Sequence, residues 1–284
     1  MRKAFSLSVS LFISAVLLAF SVYFLSVSKT NVSNTLKLNK KLFLFLQTKS
    51  YLEKVKFYIG SGKFKNFYVV NSVGGLPDKL RLDGTKTEIN GTVIELQDGA
   101  GLINVLYPNF TFLKNFLEEN NTDVMIDSFR DWLDWDEYLR INGAESFYYK
   151  DIGAKYIPRN KNFIAFKDEL IDIRGWENYG KYEKFFIFAP RGGYNFLTMP
   201  DSLLMAKYKL SKKQIEKINE LKNRYETYKA INYWGLHAKD IDVDSDMYFP
   251  SKIVKIYIKS EEGNISASLN EVVDFKFFKV LYVN

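Results

Sequence analysis

The sequence predicts an α+β protein with a long N-terminal membrane-spanning helix, an antiparallel sheet formed by two separate segments, and a large all-helical domain inserted between them. Three observations support this fold class. An uncharged apolar run occupies residues 5–28, and runs of β-branched and aromatic residues occur before residue 101 and after residue 237. Between these two sets of strands, apolar residues recur at helical spacing.

The first element is an apolar helix long enough to cross a bilayer. Residues 5–28 follow the charged pair Arg2 and Lys3 and end at Lys29. At the rise of an α-helix this run extends roughly 30–37 Å, which spans a hydrocarbon core and exceeds an ordinary signal-peptide core. Apolar residues then recur three, four and seven positions apart: Leu38, Leu42, Phe45, Leu52, Val55 and Ile59. The helix is therefore predicted to continue through 29–60, where glycines begin.

The residues leave three interpretations of this N-terminus open. Arg2 and Lys3 with a cleavage site at 26–28 describe a secretory signal peptide, and the same run left uncleaved describes a signal anchor. The third interpretation rests on residues 1–6, which resemble a type IV prepilin leader, where prepilin peptidase removes a short basic peptide before a phenylalanine. This resemblance implies a leader over 1–4 and processing between Ala4 and Phe5, with Ala4 in place of the usual glycine.

Val9 is the fifth residue after that processing site. Most pilins and pseudopilins carry a glutamate there, which is thought to pair with the amine of a neighbouring subunit. A carboxylate inside lipid is costly unless it has a partner. In the resembled family, absence of this glutamate marks the subunit at the filament tip.

Strand patterns define the two parts of the sheet, 61–101 and 237–284. In the first part, β-branched and aromatic runs are separated by glycine-containing turns. In the second part, Val254, Ile256 and Ile258 alternate with polar or amphipathic residues before a turn at 262–264. The sheet is therefore predicted to be interrupted by the middle of the chain.

The middle segment, 102–236, is predicted to be the inserted helical domain. Met125, Phe129 and Trp132 form an apolar stripe at helical spacing. Helix starts of the capping-box type are predicted at Thr198 and Ser211, because an acidic or amide residue follows each three positions later.

The composition excludes several kinds of site. The chain contains no cysteine and a single histidine, His237, which excludes disulfides and Cys-ligated zinc and disfavours a histidine-based triad. No glycine-rich phosphate loop, nucleophile elbow or zinc-protease motif occurs, so we expect no enzymatic activity. The net charge of +7 comes from 40 basic and 33 acidic residues that are interspersed, which is typical of a solvated surface.

An ordered series of short motifs carries a family resemblance over the whole chain, densest between residues 131 and 175. It contains Asp131-Trp-Leu-Asp134-Trp-Asp136, then Gly143-Ala-Glu145, a Pro/Asn-rich turn at 158–162, and Asp168-Glu-Leu170 before Gly175. In this order the motifs resemble the minor pseudopilin K family of type II secretion systems, also called general secretion pathway protein K. Two motifs of that family are altered here, at 103–105 and 197–199.

The resemblance implies a pilin-like fold and a mechanical role in assembly. A single-pass helix would anchor the protein in the bacterial inner membrane, with its C-terminal body in the periplasm. The expected partners are the I- and J-type minor pseudopilins, the major pseudopilin and prepilin peptidase. The bulk of the inserted domain and the valine at position 9 both indicate the tip of the filament.

Two acidic segments are candidates for calcium, which prefers six to eight oxygen ligands. The first comprises Asp131, Asp134, Asp136 and Glu145, and the resembled family binds calcium in this helical domain. The alternative is an acidic turn whose aspartates cap helices.

The second candidate is the alternating run that contains Asp242, Asp244 and Asp246, which is similar to the first half of an EF-hand loop. Ser245 and Ser251 stand where that loop carries glycine and glutamate, so the match to an EF-hand is incomplete.

The alternative function is a minor pilin or helix-hairpin-helix DNA-binding protein of a type IV pilus or DNA-uptake machine. Residues 166–175 would form the hairpin that binds phosphate, and nearby basic residues would add contacts: Lys207, Lys209, Lys212, Lys213 and Lys217. Trp176 and Glu177 follow Gly175 where that motif needs a small turn, so nucleic-acid binding is disfavoured.

Overall fold

The computed structural model describes residues 2–117, 121–158, 164–190, 193–242, 246–277 and 279–283, with side chains from residue 9 onward. Groups of strands and groups of helices follow one another along the chain. The α-helices are α1 (Arg2–Ser61), α2 (Phe110–Leu117), α3 (Thr122–Leu133), α4 (Ser146–Asp151), α5 (Asp201–Tyr208), α6 (Lys212–Asn223) and α7 (Thr227–His237). Three 3₁₀ helices at Lys167–Asp172, Tyr179–Lys181 and Glu183–Phe185 connect α4 to the strands that follow.

The strands form one large sheet and several small ones. They are β1 (Lys63–Phe64), β2 (Tyr68–Val70), β3 (Lys79–Arg81), β4 (Asp83–Ile89), β5 (Thr92–Asp98), β6 (Ile103–Asn104), β7 (Phe186–Ile187), β8 (Tyr194–Asn195), β9 (Asp246–Met247), β10 (Ile253–Glu262), β11 (Ile265–Asp274) and β12 (Lys279–Val283). The large sheet has the order β12-β11-β10-β5-β4, and each of its pairs is antiparallel.

Helix α1 is continuous over 60 residues, and its two ends meet different surroundings. Its apolar N-terminal part is solvent-exposed, with Phe12 and Leu25 each 70% exposed. Near its C-terminal end, Leu52, Val55 and Ile59 are buried against the large sheet. The helix is long and apolar enough to cross a membrane, and it ends at Ser61, one residue beyond the predicted end.

The large sheet joins segments from both ends of the body. Strand β5 pairs with β10, so that Leu96 lies opposite Ile256 and Asp98 opposite Val254. Alternation along β10 places Val254, Ile256 and Ile258 on the face that packs against α1, while its odd-numbered residues lie on the opposite face. The prediction of one antiparallel sheet interrupted by the middle of the chain is confirmed.

The middle of the chain contains short strands as well as the predicted helices. Ile103 pairs in parallel with Phe186, and Tyr194 pairs in parallel with Asp246. These two-residue pairs are too short to produce a periodic sequence pattern, so sequence reasoning could not find them.

The predicted helix starts have different outcomes. Ser211 and Gln214 form the expected capping box at α6. The prediction at Thr198 is wrong: helix α5 begins at Asp201 with Pro200 as its N-cap residue and has no side-chain cap. Thr198 precedes that position, and its hydroxyl donates to the buried carboxylate of Asp98, at 3.1 Å.

Two buried polar contacts fasten the middle of the chain to the sheet. Asp98 also accepts hydrogen bonds from the backbone N and Oγ of Ser251, at 2.9 and 2.7 Å, and burial raises the pKa of Asp98 to about 6. Asp83 in β4 pairs with Lys222 of α6 at 2.8 Å, and both side chains are 3% exposed. Each contact joins residues that are a hundred or more positions apart in the sequence.

A candidate cation site at the end of helix α3

Helix α3 ends beside the helix α4 start, which brings three acidic residues together. Asp131 lies in the last turn of α3, Asp134 follows the helix, and Glu145 precedes α4. Each residue offers one carboxylate oxygen, and these three oxygens lie within 4.8 Å of one another. Residues 135–144 form the loop that returns the chain from α3 to this point.

Packing beneath α3 fixes its orientation. Phe129 and Trp132 are buried, and the indole Nε1 of Trp132 donates to Glu169 Oε1 at 2.9 Å. The indole Nε1 of Trp176 donates to the carbonyl of Met125 at 2.8 Å. The predicted apolar stripe therefore faces the core, and the helix end that carries Asp131 is held in place.

Gly143 allows the loop to close tightly over Asp131. A Cβ at this position would lie 1.9 Å from Asp131 Oδ2, so any larger residue would displace the Asp131 carboxylate. The carbonyl of Gly143 accepts a hydrogen bond from Arg174 Nη1 at 2.9 Å. The neighbouring Asn142 donates its backbone N and its side-chain amide to Asp127 Oδ2, both at 3.2 Å.

Arg140 supplies the positive charge within the cluster. Its Nη1 lies 2.5 Å from Asp131 Oδ1 and also donates to Asp134 Oδ2. Its backbone N donates to Asp131 Oδ2 at 3.3 Å. One guanidinium therefore binds two of the three carboxylates.

Glu145 lacks such a partner. Its side chain is completely buried, and neither carboxylate oxygen has a hydrogen-bond donor. Burial, followed by repulsion from Asp131 and Asp134, raises the pKa of Glu145 to about 7. Burial likewise raises the pKa of Asp131, and Asp134 Oδ1 has no hydrogen-bond partner either. A buried carboxylate without a donor is costly, and a bound cation would remove this cost.

The three residues fit the chemistry of a calcium ion. Calcium takes carboxylate and carbonyl oxygens in a flexible arrangement and commonly keeps water ligands. Asp131, Asp134 and Glu145 would supply the carboxylates.

Asp136, the fourth residue predicted for this segment, lies outside the cluster. It is exposed, and its Oδ1 accepts a hydrogen bond from the backbone N of Tyr138 at 2.8 Å. Arg140 was not predicted for this site, and Gly143 was named only as part of the Gly143-Ala-Glu145 motif. Two features of the sequence could have indicated their roles. Arg140 is the one basic residue between Asp131 and Glu145, and Gly143 follows Asn142 at a turn-forming pair.

The second acidic segment has a different arrangement. Asp246 Oδ1 accepts from Lys207 Nζ and from Tyr208 Oη, each at 2.9 Å, and the backbone N of Asp242 donates to Asp246 Oδ2 at 2.8 Å. Asp244 lies outside the described residues. Within the described part of the chain, three acidic side chains converge in the manner of a metal site only at Asp131, Asp134 and Glu145.

The segment predicted as an alternative DNA-binding hairpin packs against the core through Leu170 and Ile173. Gly175 has φ +85°, and its backbone N donates to Glu177 Oε1 at 2.9 Å, so this amide already has an acceptor. Trp176 is buried beside it. Lys207, which was expected to contact phosphate, is instead buried in the pair with Asp246.

The predicted processing residues Ala4 and Phe5 lie in the first turns of α1. Their side chains lie outside the described part of the structure.

Comparison with known proteins supports the fold. No protein-family model and no curated protein matches the sequence. Among solved structures, the protein is similar to a chain in the GspK-GspI-GspJ complex of the type 2 secretion system from enterotoxigenic Escherichia coli, with a TM-score of 0.54 and 12% identity. The similarity covers 89% of this chain and 98% of that chain. The protein therefore has a pilin-like α+β fold with a long apolar N-terminal helix.

Proposed function

We propose that this protein is a non-enzymatic minor pseudopilin of the K type. In this role it assembles with I- and J-type minor pseudopilins and the major pseudopilin at the tip of a type II secretion pseudopilus, and so primes filament assembly for protein export. The main support is a fold similarity that extends over 98% of a chain in a pseudopilin complex. The ordered motifs between residues 131 and 175 support the same assignment independently.

The architecture of α1 supports a membrane-anchored assembly role. Its exposed apolar part has the length of a bilayer span, and its C-terminal part is packed into the body. In this proposal residues 1–4 are the leader, 5–28 the inner-membrane span and 29–60 the periplasmic part of the helix. The proposal assigns 61–101 and 237–284 to the two parts of the sheet region, of which the large sheet takes β4, β5 and β10 to β12, and 102–236 to the inserted domain.

Position at the tip is supported by two features. Val9, which is 41% exposed, places an apolar side chain where most pseudopilins carry a glutamate. The inserted residues between β5 and β10 add a bulky region to one side of the sheet, where they would hinder the addition of another subunit above.

The proposal is tested by co-expressing the full chain with prepilin peptidase and with the I- and J-type pseudopilins encoded in the same genome. We expect mass spectrometry of the extracted protein to show a mature N-terminus at Phe5, and we expect the three pseudopilins to co-purify. A product cleaved near Ser28, recovered free of membrane and partners, would contradict the proposal.

We further propose that the inserted region binds one calcium ion through Asp131, Asp134 and Glu145. The supporting observation is the fully buried Glu145 carboxylate, whose two oxygens lack hydrogen-bond donors. Bound calcium would supply the positive charge that Arg140 provides to only two of the three carboxylates.

Isothermal titration of the full chain in an uncharged detergent tests the calcium site. We expect saturable binding that Asp134→Ala weakens by about tenfold or more, since loss of a charged ligand costs more than about 1.4 kcal/mol. Asp136→Ala is the matched control, because Asp136 is exposed and outside the cluster. A flat titration of the unmodified protein would remove the metal proposal without affecting the pseudopilin proposal.

A further inference from the structure

A groove lies on the face of the large sheet opposite α1, and it is lined by lysines. Its floor is formed by Lys255 and Tyr257 of β10 and Asn270 of β11. Its wall is formed by the 3₁₀ segments that carry Lys167, Glu183 and Lys184. We call this surface, defined by these six residues, the lysine groove.

The lysine groove carries excess positive charge. The only acidic member of the set, Glu183, is already paired with Lys167, at 2.6 Å between Lys167 Nζ and Glu183 Oε1. Lys184 is exposed, and its ammonium lies 4.8 Å from the centroid of the Phe185 ring. The charges of Lys184 and Lys255 are therefore not balanced by a carboxylate in the set.

Lys255 is the central residue of this argument. Its side chain is partly buried in the groove, and no carboxylate among the described residues lies within ion-pair distance of its ammonium. Burial lowers the pKa of Lys255, and Lys167 adds to that effect, while Glu183 and Glu95 oppose it. An ammonium that has lost water without gaining a partner favours an incoming anion.

Asn270 limits what that anion can be. Its Oδ1 atom is buried at the edge of the groove and has no hydrogen-bond donor. Inorganic phosphate offers the lysines negative charge, but near neutral pH it carries only one or two O–H groups that could donate to this acceptor. A peptide supplies both carboxylates for the lysines and backbone N–H donors for Asn270.

We propose that the lysine groove binds a short acidic segment of a partner protein in an extended conformation, with a carboxylate placed at Lys255 and Lys184. The acidic stretch is short because the adjoining cleft, which shares Lys184, Lys255 and Tyr257, also contains Glu95. A longer acidic peptide would meet like charge there. This inference does not require that the protein be a pseudopilin.

The test uses the full chain in an uncharged detergent and a fluorescein-labelled hexapeptide of alternating glycine and glutamate. We expect saturable binding by fluorescence anisotropy, weakening as salt rises from about 50 to 200 mM because the contacts are ionic. The same peptide with lysine in place of glutamate is the charge control and is expected not to bind.

Two substitutions distinguish binding in the lysine groove from attraction by the general surface charge. Lys255→Gln is expected to weaken binding by about tenfold, whereas Lys259→Gln should change it less than about twofold. Lys259 lies on the same strand and face but is paired with Glu261 outside the groove. Circular dichroism and thermal unfolding verify that both variants are folded.

Four outcomes would overturn the proposal: no saturable binding, equal loss in the two variants, complete displacement of the peptide by an equal concentration of inorganic phosphate, or tighter binding of duplex DNA that also depends on Lys255. The third outcome would assign the groove to a small anion, and the fourth to nucleic acid.

Discussion

The two acidic segments of this protein look alike in sequence and differ in what the fold places beside them. At the end of α3, the guanidinium of Arg140 pairs with only two of the three carboxylates, Asp131 and Asp134, and Glu145 receives no donor. At β9, by contrast, Asp246 is matched by the ammonium of Lys207 and by the hydroxyl of Tyr208. An acidic run therefore indicates a cation site only where the surrounding fold leaves negative charge unmatched.

The largest expected effect comes from removing the internal counter-ion of the second segment. In the Lys207–Asp246 pair the side chains are 5% and 4% exposed. Lys207→Met leaves Asp246 as a buried carboxylate without its cation, so we expect the free energy of unfolding to fall by about 3 to 5 kcal/mol. Denaturant unfolding of the full chain measures the change.

The exposed pair Lys209–Asp240 provides the control for that measurement, since its side chains are 53% and 58% exposed. Lys209→Met should cost less than about 1 kcal/mol because water already solvates both charges. Equal losses in the two variants would mean that Asp246 does not depend on Lys207, and the contrast between the segments would fail.

The next largest effect is a pH dependence of protein stability, which arises from Glu145 in the first acidic segment. The folded protein holds the proton of Glu145 more tightly than the unfolded chain does, since its pKa rises from 4.5 to about 7. In the absence of calcium, stability should therefore be highest below pH 4.5 for this group and fall as the pH rises to about 7. The full loss is at most about 3 kcal/mol.

The pKa of Asp98 is also raised, to about 6, so Asp98 adds its own loss of stability as the pH rises. Glu145→Gln isolates the contribution of Glu145, because the loss from Asp98 is the same in both proteins. The difference between the unfolding free energies of the variant and the unmodified protein should grow from pH 4.5 to 7. The variant should be the more stable protein at pH 7 without calcium, and it should lose calcium binding. If the difference in unfolding free energy did not change with pH, the pKa of Glu145 would not be raised in the folded protein.

A smaller effect is expected from Arg140, whose guanidinium competes with calcium for Asp131 and Asp134. Arg140→Gln should tighten calcium binding by about tenfold, which corresponds to about 1.4 kcal/mol. The same substitution should lower the free energy of unfolding of the calcium-free protein. Titration calorimetry measures the affinity. Arg130→Gln removes the same charge from a guanidinium stacked on Phe110, so it should change the affinity much less. Weaker calcium binding in Arg140→Gln would instead mean that Arg140 positions the loop for the ion.

Much of the fold could be predicted because its signals are local. The glycines after Ile59 mark the end of α1, and the alternation around Ile256 with the turn at Gly263 defines the β10–β11 hairpin. The capping box at Ser211 is equally local. The role of Thr198 could not be predicted, since its partner Asp98 lies a hundred positions away and becomes buried only when the sheet is complete.

In the candidate cation site too, local sequence signals could be predicted and contacts that depend on tertiary packing could not. Asp131, Asp134 and Glu145 were grouped from the order of motifs, and the structure places them together, while calcium binding there stays a prediction. Closure of the loop depends on how closely Gly143 approaches Asp131, a distance that no spacing of residue types reveals. The matching of Asp246 by Lys207 likewise depends on tertiary packing.

The smallest effect should come from Asp136, which the sequence grouped with the first segment and the structure leaves exposed. Asp136→Asn keeps an oxygen that can accept the hydrogen bond from the backbone N of Tyr138. We therefore expect unfolding free energy to change by less than about 0.5 kcal/mol and calcium affinity by less than about threefold. If calorimetry instead showed a loss as large as that of Asp134→Ala, the loop would have to close further when calcium binds, bringing Asp136 onto the ion. The contrast between matched and unmatched carboxylates would then describe only the calcium-free protein.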